Sequence, residues 1–203
     1  MILLLSRRTP LATDELKCIL ESLLFAAEAP LSLDRLCALL DRPKSELKPV
    51  LQQMVVDFEQ AGHGFHLAEV AGGFQFRTRQ DYAPWVRKLS KERPFRFSRA
   101  ALETLAMVAY RQPVTRSEVE YLRGVDSGGV MKTLLEKGLV RILGKKDVPG
   151  RPLMYGTSRK FLEFFGLRDL GDLPTLKDFS SLDPDLELEN WQSFPESPSA
   201  DTL

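Results

Sequence analysis

One pattern runs twice through this 203-residue chain, and that duplication restricts the fold more than any single motif does. Near residue 30 a helix-like run ends in Ala-Glu-Ala-Pro-Leu-Ser, and near residue 113 another ends in Arg-Gln-Pro-Val-Thr. Each is followed by a short amphipathic stretch, a longer one and an alternating segment, so Pro30 and Pro113 mark equivalent points. A pattern that recurs in this way folds as the same supersecondary unit each time. At 43% hydrophobic and 28% charged residues the chain can bury one large core or two small ones, and the repeat favours two.

In the first copy Leu16, Ile19, Leu20, Leu23, Leu24 and Ala27 follow the spacing of one helical stripe, with Cys18 and Phe25 outside it. A helix apolar on more than one side packs against a second subunit or is wrapped by the other helices of its own domain, and both readings stay open. Ser32 is an expected N-cap for a short helix through Leu33, Leu36, Leu39 and Leu40. The next helix runs from about Pro43 to Ala61, carries Leu47, Val50, Leu51, Met54, Val55 and Phe58 on one face, and stops at Gly62. The period then changes to 2: Phe65, Leu67, Phe74, Phe76 and Thr78 alternate with polar residues around Gly72-Gly73, which predicts a β-hairpin with a glycine turn. A helical segment over 81–89 leads to a boundary at Pro94.

The second copy opens at Ser98, with Leu102, Leu105, Ala106 and Ala109 expected on one helical face. Thr115 caps a short helix containing Val119 and Leu122, and Gly124 ends it. Asp126 or Ser127 starts a helix with Met131, Leu134 and Leu135 inside, which stops at Gly138. Residues 139–143 and 153–157 predict a hairpin with a longer tip over 144–152, and residues 158–165 predict a closing helix. Three short helices and a β-hairpin make a winged helix, so the expected class is mostly α with small β-hairpin wings (α+β), as two tandem winged-helix domains. The expected division is an N-terminal extension over 1–12, a first domain over 13–90, a linker over 91–97, a second domain over 98–176 and an acidic tail of disordered composition over 177–203.

Charge is unevenly spread: residues 178–203 hold seven acids and no Lys or Arg, a charge of −7, which leaves +7 on residues 1–177 of a chain neutral as a whole. That permits nucleic-acid contact without requiring it. Cys18 and Cys37 sit inside helical patterns with no zinc or redox spacing, which fits a reduced cytoplasmic protein. The apolar start, Met1 to Leu5, carries its charge on the wrong side for a signal peptide, and no stretch approaches the ~20 apolar residues of a membrane span. His63 and His66 lack an acidic or cysteine partner for a metal, and Gly138 to Gly144-Lys145 fails as a phosphate loop on spacing and on the missing Ser or Thr. With no nucleophile–base pair either, the expectation is no catalytic residue, no cofactor and no metal.

A DNA-reading winged helix sends its third helix into the major groove with Arg, Lys, Asn or Gln on base edges. Here Lys44 and Lys48 are offset by Glu46, Asp57 and Glu59, and the second candidate begins Asp126-Ser127-Gly128-Gly129 with only Lys132 and Lys137 against Glu136. Arg87, Lys88, Lys91, Arg93, Arg96 and Arg99 at the inter-domain joint, with Lys145, Lys146 and Arg151 on the second wing, could neutralise phosphates without reading bases. The alternative is a solvated basic surface. Gly124, Gly128 and Gly129 would let another polypeptide approach closely, or two helices of one domain pack tightly.

Leu20-Glu21-Ser22-Leu23-Leu24-Phe25-Ala26-Ala27-Glu28-Ala29-Pro30-Leu31-Ser32 resembles the segregation and condensation protein B family of bacterial chromosome-organising complexes. So do the run from Ala109 to Glu120, Arg123-Gly124-Val125, Gly138-Leu139-Val140, the run from Pro149 to Thr157, and Phe161-Leu162-Glu163-Phe164-Phe165-Gly166-Leu167. The hairpin end departs from the pattern, reading Tyr-Gly-Thr-Ser for Tyr-x-Thr-Thr. The resemblance covers about residues 15–176. It implies a non-enzymatic homodimeric adaptor that dimerises mainly through its first domain and holds the central region of the kleisin ScpA. The kleisin bridges an SMC ATPase, so the ATP chemistry of condensation and segregation belongs to that partner. It implies a cytoplasmic, nucleoid-associated protein with no membrane contact, and leaves open weak, non-specific contact with DNA.

On this reading the partner surface is expected at Arg123, Gly124, Val125, Arg151 and Tyr155. Alternatives are Gly124 as a helix cap, Tyr155 as wing core and Arg151 as a solvated tip. Self-association is expected at Cys18, Leu24, Phe25 and Leu31, by exposure of the second helix face. The competing reading is a tandem winged-helix regulator that binds DNA directly through the joint and wing cations.

Overall fold

The computed structural model describes residues 13–89 and 96–175, and the described residues up to Gly171 form one compact unit. Pro94, Lys91, Arg93 and the acidic tail expected from 177 onward lie outside the described residues.

Helix α1 (Thr13–Ala26) opens with Asp14 and Glu15, whose charges favour a helix N-terminus. It buries Leu16, Leu20 and Leu24 against Leu36 of α2 (Leu33–Leu40), Leu47, Leu51 and Met54 of α3 (Lys44–Gln60), and Leu67 and Phe74 of the wing. Burying each such leucine contributes about 2 kcal/mol. Ser32 caps α2 as its sequence predicts, its hydroxyl accepting from the Arg35 amide at 3.3 Å. Lys17 donates to Asp57 at 2.8 Å and ties α1 to α3.

The first wing is β2 (Phe65–Val70) against β3 (Gly73–Thr78), antiparallel, with Val70 opposite Gly73. That register makes Ala71-Gly72 the turn rather than Gly72-Gly73, and both turn residues have positive φ (51° and 67°). Gly73 belongs to the strand for another reason. β1 (Leu31–Ser32) pairs with β3 as a third strand, and a Cβ at Gly73 would lie 2.7 Å from the Leu31 carbonyl oxygen. A 3₁₀ turn over Gln80–Tyr82 then leads into α4 (Ala83–Leu89), which buries none of its residues.

The second copy repeats this order as α5 (Arg99–Arg111), β4 (Val114–Thr115), α6 (Arg116–Arg123), α7 (Gly128–Glu136), β5 (Val140–Lys145), β6 (Leu153–Thr157) and α8 (Arg159–Phe165). Its sheet order, β4-β6-β5, matches β1-β3-β2 in the first copy. The expected inner face of α5 is rotated: Thr104 and Val108 are buried beside Ala101, Leu105 and Ala109, while Ala106 is exposed. Thr104 can sit inside because its hydroxyl donates to the Ala100 carbonyl at 2.8 Å. Leu122 is 46% exposed, and Val119 alone of α6 is buried.

The two copies touch directly. The Ala71 and Gly72 amides at the first wing's turn donate to the Leu167 and Arg168 carbonyls at 2.8 and 2.9 Å. Arg77 donates to the Glu163 carbonyl at 2.6 Å, and Arg159 of α8 donates to the Pro30 carbonyl at 3.0 Å.

Candidate functional site

Two surfaces stand out, one on each copy. On α1, Cys18 is exposed and Phe25 is 86% exposed, on the side away from the leucine stripe. Leu24 does not belong to that face: it is 1% exposed and part of its own core, because i, i+4 spacing from Leu20 carries it inward. Leu31 is half-buried against the same core. Of the four residues expected at a self-association surface, Phe25 and Cys18 are therefore outward.

On the second copy, α6 is built by its N-terminus. Thr115 and Glu118 form a reciprocal capping box: the Glu118 amide donates to the Thr115 hydroxyl at 3.3 Å, and the Thr115 amide donates to the Glu118 carboxylate at 2.7 Å. The Glu118 carboxylate also accepts from Lys146 of the wing. Lys146 first, then the Thr115 amide and hydroxyl, hold the Glu118 carboxyl down at about 2. Lys146 is thereby ion-paired within the fold, which removes it from the cations free to meet phosphate.

Depressions lie on both sides of α6. One, of about 470 Å³, is lined by Arg111, Pro113, Val114, Tyr121 and Leu122; the other, of about 310 Å³, by Arg116, Glu120, Pro152, Leu153 and Tyr155, with Ser117 shared between them. Tyr121 is 88% exposed on this ridge, although an aromatic ring in water gains nothing for the fold. Its outward direction is the feature that sequence reading missed; the signal was present, because Tyr121 falls two residues from the buried Val119 on a short helix.

The five expected partner residues differ in exposure. Arg123 has a side chain only 7% exposed, donates to the Ser127 hydroxyl at 3.0 Å, and lies 3.6 Å from the Glu103 carboxylate. It joins α5 to the α6–α7 turn, and its buried Nε has no hydrogen-bond partner among the described residues. Gly124 is the left-handed cap of α6 at φ 71°. Val125 is exposed beside it. Arg151 is exposed at the wing tip, its own amide donating to the Val148 carbonyl at 2.9 Å. Tyr155 is buried in β6 and forms the floor of the smaller depression.

Arg87 and Lys88 are exposed on α4 together with Trp85 and Leu89, Arg96 and Lys145 are exposed, and Arg99 pairs with Glu103 at 3.0 Å while remaining open to solvent. His63 stacks on Phe65 with ring centroids 5.4 Å apart. Among the described residues no three His, Cys, Asp or Glu side chains gather as a metal site, and no helix is long and apolar enough to cross a membrane.

These features define a class: a tandem winged-helix protein whose outward surface offers apolar ridges and grooves suited to protein contact. The chain belongs to the family described as segregation and condensation complex subunit ScpB, whose model matches residues 18–176. It is 59% identical over 175 residues to segregation and condensation protein B of Syntrophotalea carbinolica, covering 86% of this chain and 89% of that one. Among solved structures it is similar to ScpB from Mycobacterium tuberculosis, with 39% identity, 78% of this chain and 99% of that one covered, and a TM-score of 0.39. It is also similar to a chain from a dimer of an ScpB N-terminal domain complexed with ScpA peptide, at 35% identity over 38% of this chain and 96% of that one, TM-score 0.36. The family is a non-enzymatic component of chromosome segregation and condensation.

Proposed function

We propose that this chain is a homodimeric adaptor that binds the central region of the kleisin ScpA and reaches the SMC ATPase through it, in the cytoplasm at the nucleoid. The observation that carries the reading is the family match across residues 18–176, which takes in both winged-helix copies. In this reading residues 13–90 and 98–176 act as separate domains joined by 91–97, and the first supplies the dimer contact. Phe25 supports that assignment, since a ring 86% exposed on a helix with a fully buried opposite face is stabilised by a second subunit and by nothing in its own fold. Binding would order a flexible kleisin segment, and two copies per dimer would let one segment be held at two places with a gain in effective concentration.

The test is co-expression with the kleisin of the same genome, followed by size-exclusion chromatography with light scattering on the pair and on this chain alone. A dimer that co-elutes with kleisin is expected. A species that ignores kleisin yet shifts duplex DNA at moderate salt would replace the adaptor with a DNA-binding regulator.

A further inference from the structure

The duplication makes each copy a control for the other. Residues 98–171 hold 13 Lys and Arg against 8 Asp and Glu, whereas residues 13–89 hold 9 against 11. Two copies of one fold thus carry opposite net charge, a difference that bears on association rather than on folding. The wings show where it falls. In the first, the outer strand β2 has no Lys or Arg and carries Glu69, and the turn is occupied with the Leu167 and Arg168 carbonyls. In the second, the outer strand β5 carries Arg141 and Lys145, and Arg151 stands on a longer tip. All three are exposed, and none has an ion pair among the described residues, although the Arg141 Nε donates to the Thr157 carbonyl at 3.2 Å. Six of the eight acids of this copy are already paired within it, and Asp147 is the one acid on the tip.

The tip is held in shape. Arg151 has φ 39°, a left-handed conformation that strains any residue with a Cβ. It persists because the Arg151 amide donates to the Val148 carbonyl at 2.9 Å and the Lys146 amide to the Pro152 carbonyl at 2.8 Å. Pro149 and Pro152 restrict the backbone on either side. The backbone is therefore fixed, while the Arg151 guanidinium has neither hydrogen bond nor ion pair among the described residues. The surroundings narrow what it could meet. No aromatic residue lies between Leu139 and Met154, so the bases of a single strand would find no ring to stack on. The start of α7, Gly128-Gly129, offers no side-chain donor to base edges. What remains is the phosphate backbone of a duplex. Arg141 lies opposite Gly156 and Lys145 opposite Leu153, which sets the two cations about 10 Å apart along the edge. Duplex DNA presents a charge about every 1.7 Å of its axis, so both cations reach one.

We propose that the outer edge and tip of the second wing are a sequence-independent contact for the backbone of duplex DNA, with Arg141, Lys145 and Arg151 each neutralising a phosphate. The contact goes beyond the kleisin-binding reading and does not depend on it. Three phosphates give an affinity confined to low salt, as suits an auxiliary contact of a protein held near DNA by other means and not a dedicated regulator.

The experiment titrates short labelled duplexes of unrelated sequence with the full-length chain, without kleisin, and reads fluorescence anisotropy across a salt series. The wild type is expected to bind all duplexes alike, its association constant falling with about the third power of salt concentration. Lys145→Gln with Arg151→Gln should lower that power to about one and weaken binding on the order of tenfold at the lowest salt. Lys145→Arg keeps the charge and should bind as the wild type does. Arg87→Gln with Lys88→Gln removes as much charge from α4 and should change neither quantity. All these side chains are exposed, so far-ultraviolet circular dichroism should show unchanged folding. Absence of duplex binding by the wild type at low salt overturns the proposal. So does a salt dependence that the wing variant leaves unaltered, or that the α4 variant alters equally. Kleisin binding, measured separately by co-elution, stands or falls on its own.

Discussion

Replacing Glu118 tests how the second copy holds its wing to its helices. In Glu118→Ala the Thr115 amide, in a residue 2% exposed, loses its acceptor, and leaving such a donor unpaired costs about 1–2 kcal/mol. The pair with Lys146, in which both side chains are 43% exposed, adds only about 0.5 kcal/mol. The expected loss is therefore about 2 kcal/mol, read from urea unfolding of the second copy by circular dichroism. Lys146→Ala should lose about a quarter of that, and Glu118→Gln, whose amide oxygen still accepts from Thr115, should fall between them. The pH dependence has a definite sign. The folded carboxyl sits at about 2 against an ordinary 4.5, so its contribution is fully present above about 4.5 and is lost as pH falls toward 2. Unscreened, that gap would amount to about 3 kcal/mol, but solvent reaches the carboxylate and about 1 kcal/mol is expected. Glu118→Gln should flatten the stability profile by that amount in this window. A Glu118→Ala variant within 0.5 kcal/mol of wild type, or a Lys146→Ala variant equal to it, would refute the assignment of most of the energy to the cap.

Leu20, fully buried where α1 meets α3 and the wing, should cost about 2–5 kcal/mol on replacement by Ala, seen as early melting of the first copy. Gly73→Ala should cost about 2 kcal/mol by thermal denaturation, since the added methyl meets the backbone of Leu31, which cannot move without breaking β1 from β3; an unchanged midpoint would show that β1 yields freely. Phe25→Asp should leave helicity intact and reduce the mass seen by light scattering from dimer to monomer, whereas a persistent dimer would place self-association elsewhere.

Much of the architecture could be read from local chemistry. The caps at Ser32, Ser98 and Thr115, the glycines after α3, α6 and α7, and the change of hydrophobic period before each wing are signals carried by a few adjacent residues, and they place the helices and hairpins almost where they occur. The duplication supplied the rest of the topology, and the family resemblance followed the same segments.

Other features depend on partners distant in sequence. The two-residue strands β1 and β4 exist only because β3 and β6 offer them an edge, and no two-residue pattern can announce that. Leu24, expected at a self-association surface, is buried instead, because a helix's inward face is chosen by what packs on it, and 3.6 residues per turn leave flanking positions undecided. Arg123, which could be read as a partner contact, finds Glu103 and Ser127 within its own copy, and Lys146 finds Glu118 across the wing. The sequence by itself determined the elements, their order and their repetition, since these follow from local propensity and periodicity. Which side chains remained for a partner was decided only by the tertiary structure, because a surface is what remains after every long-range contact has been made.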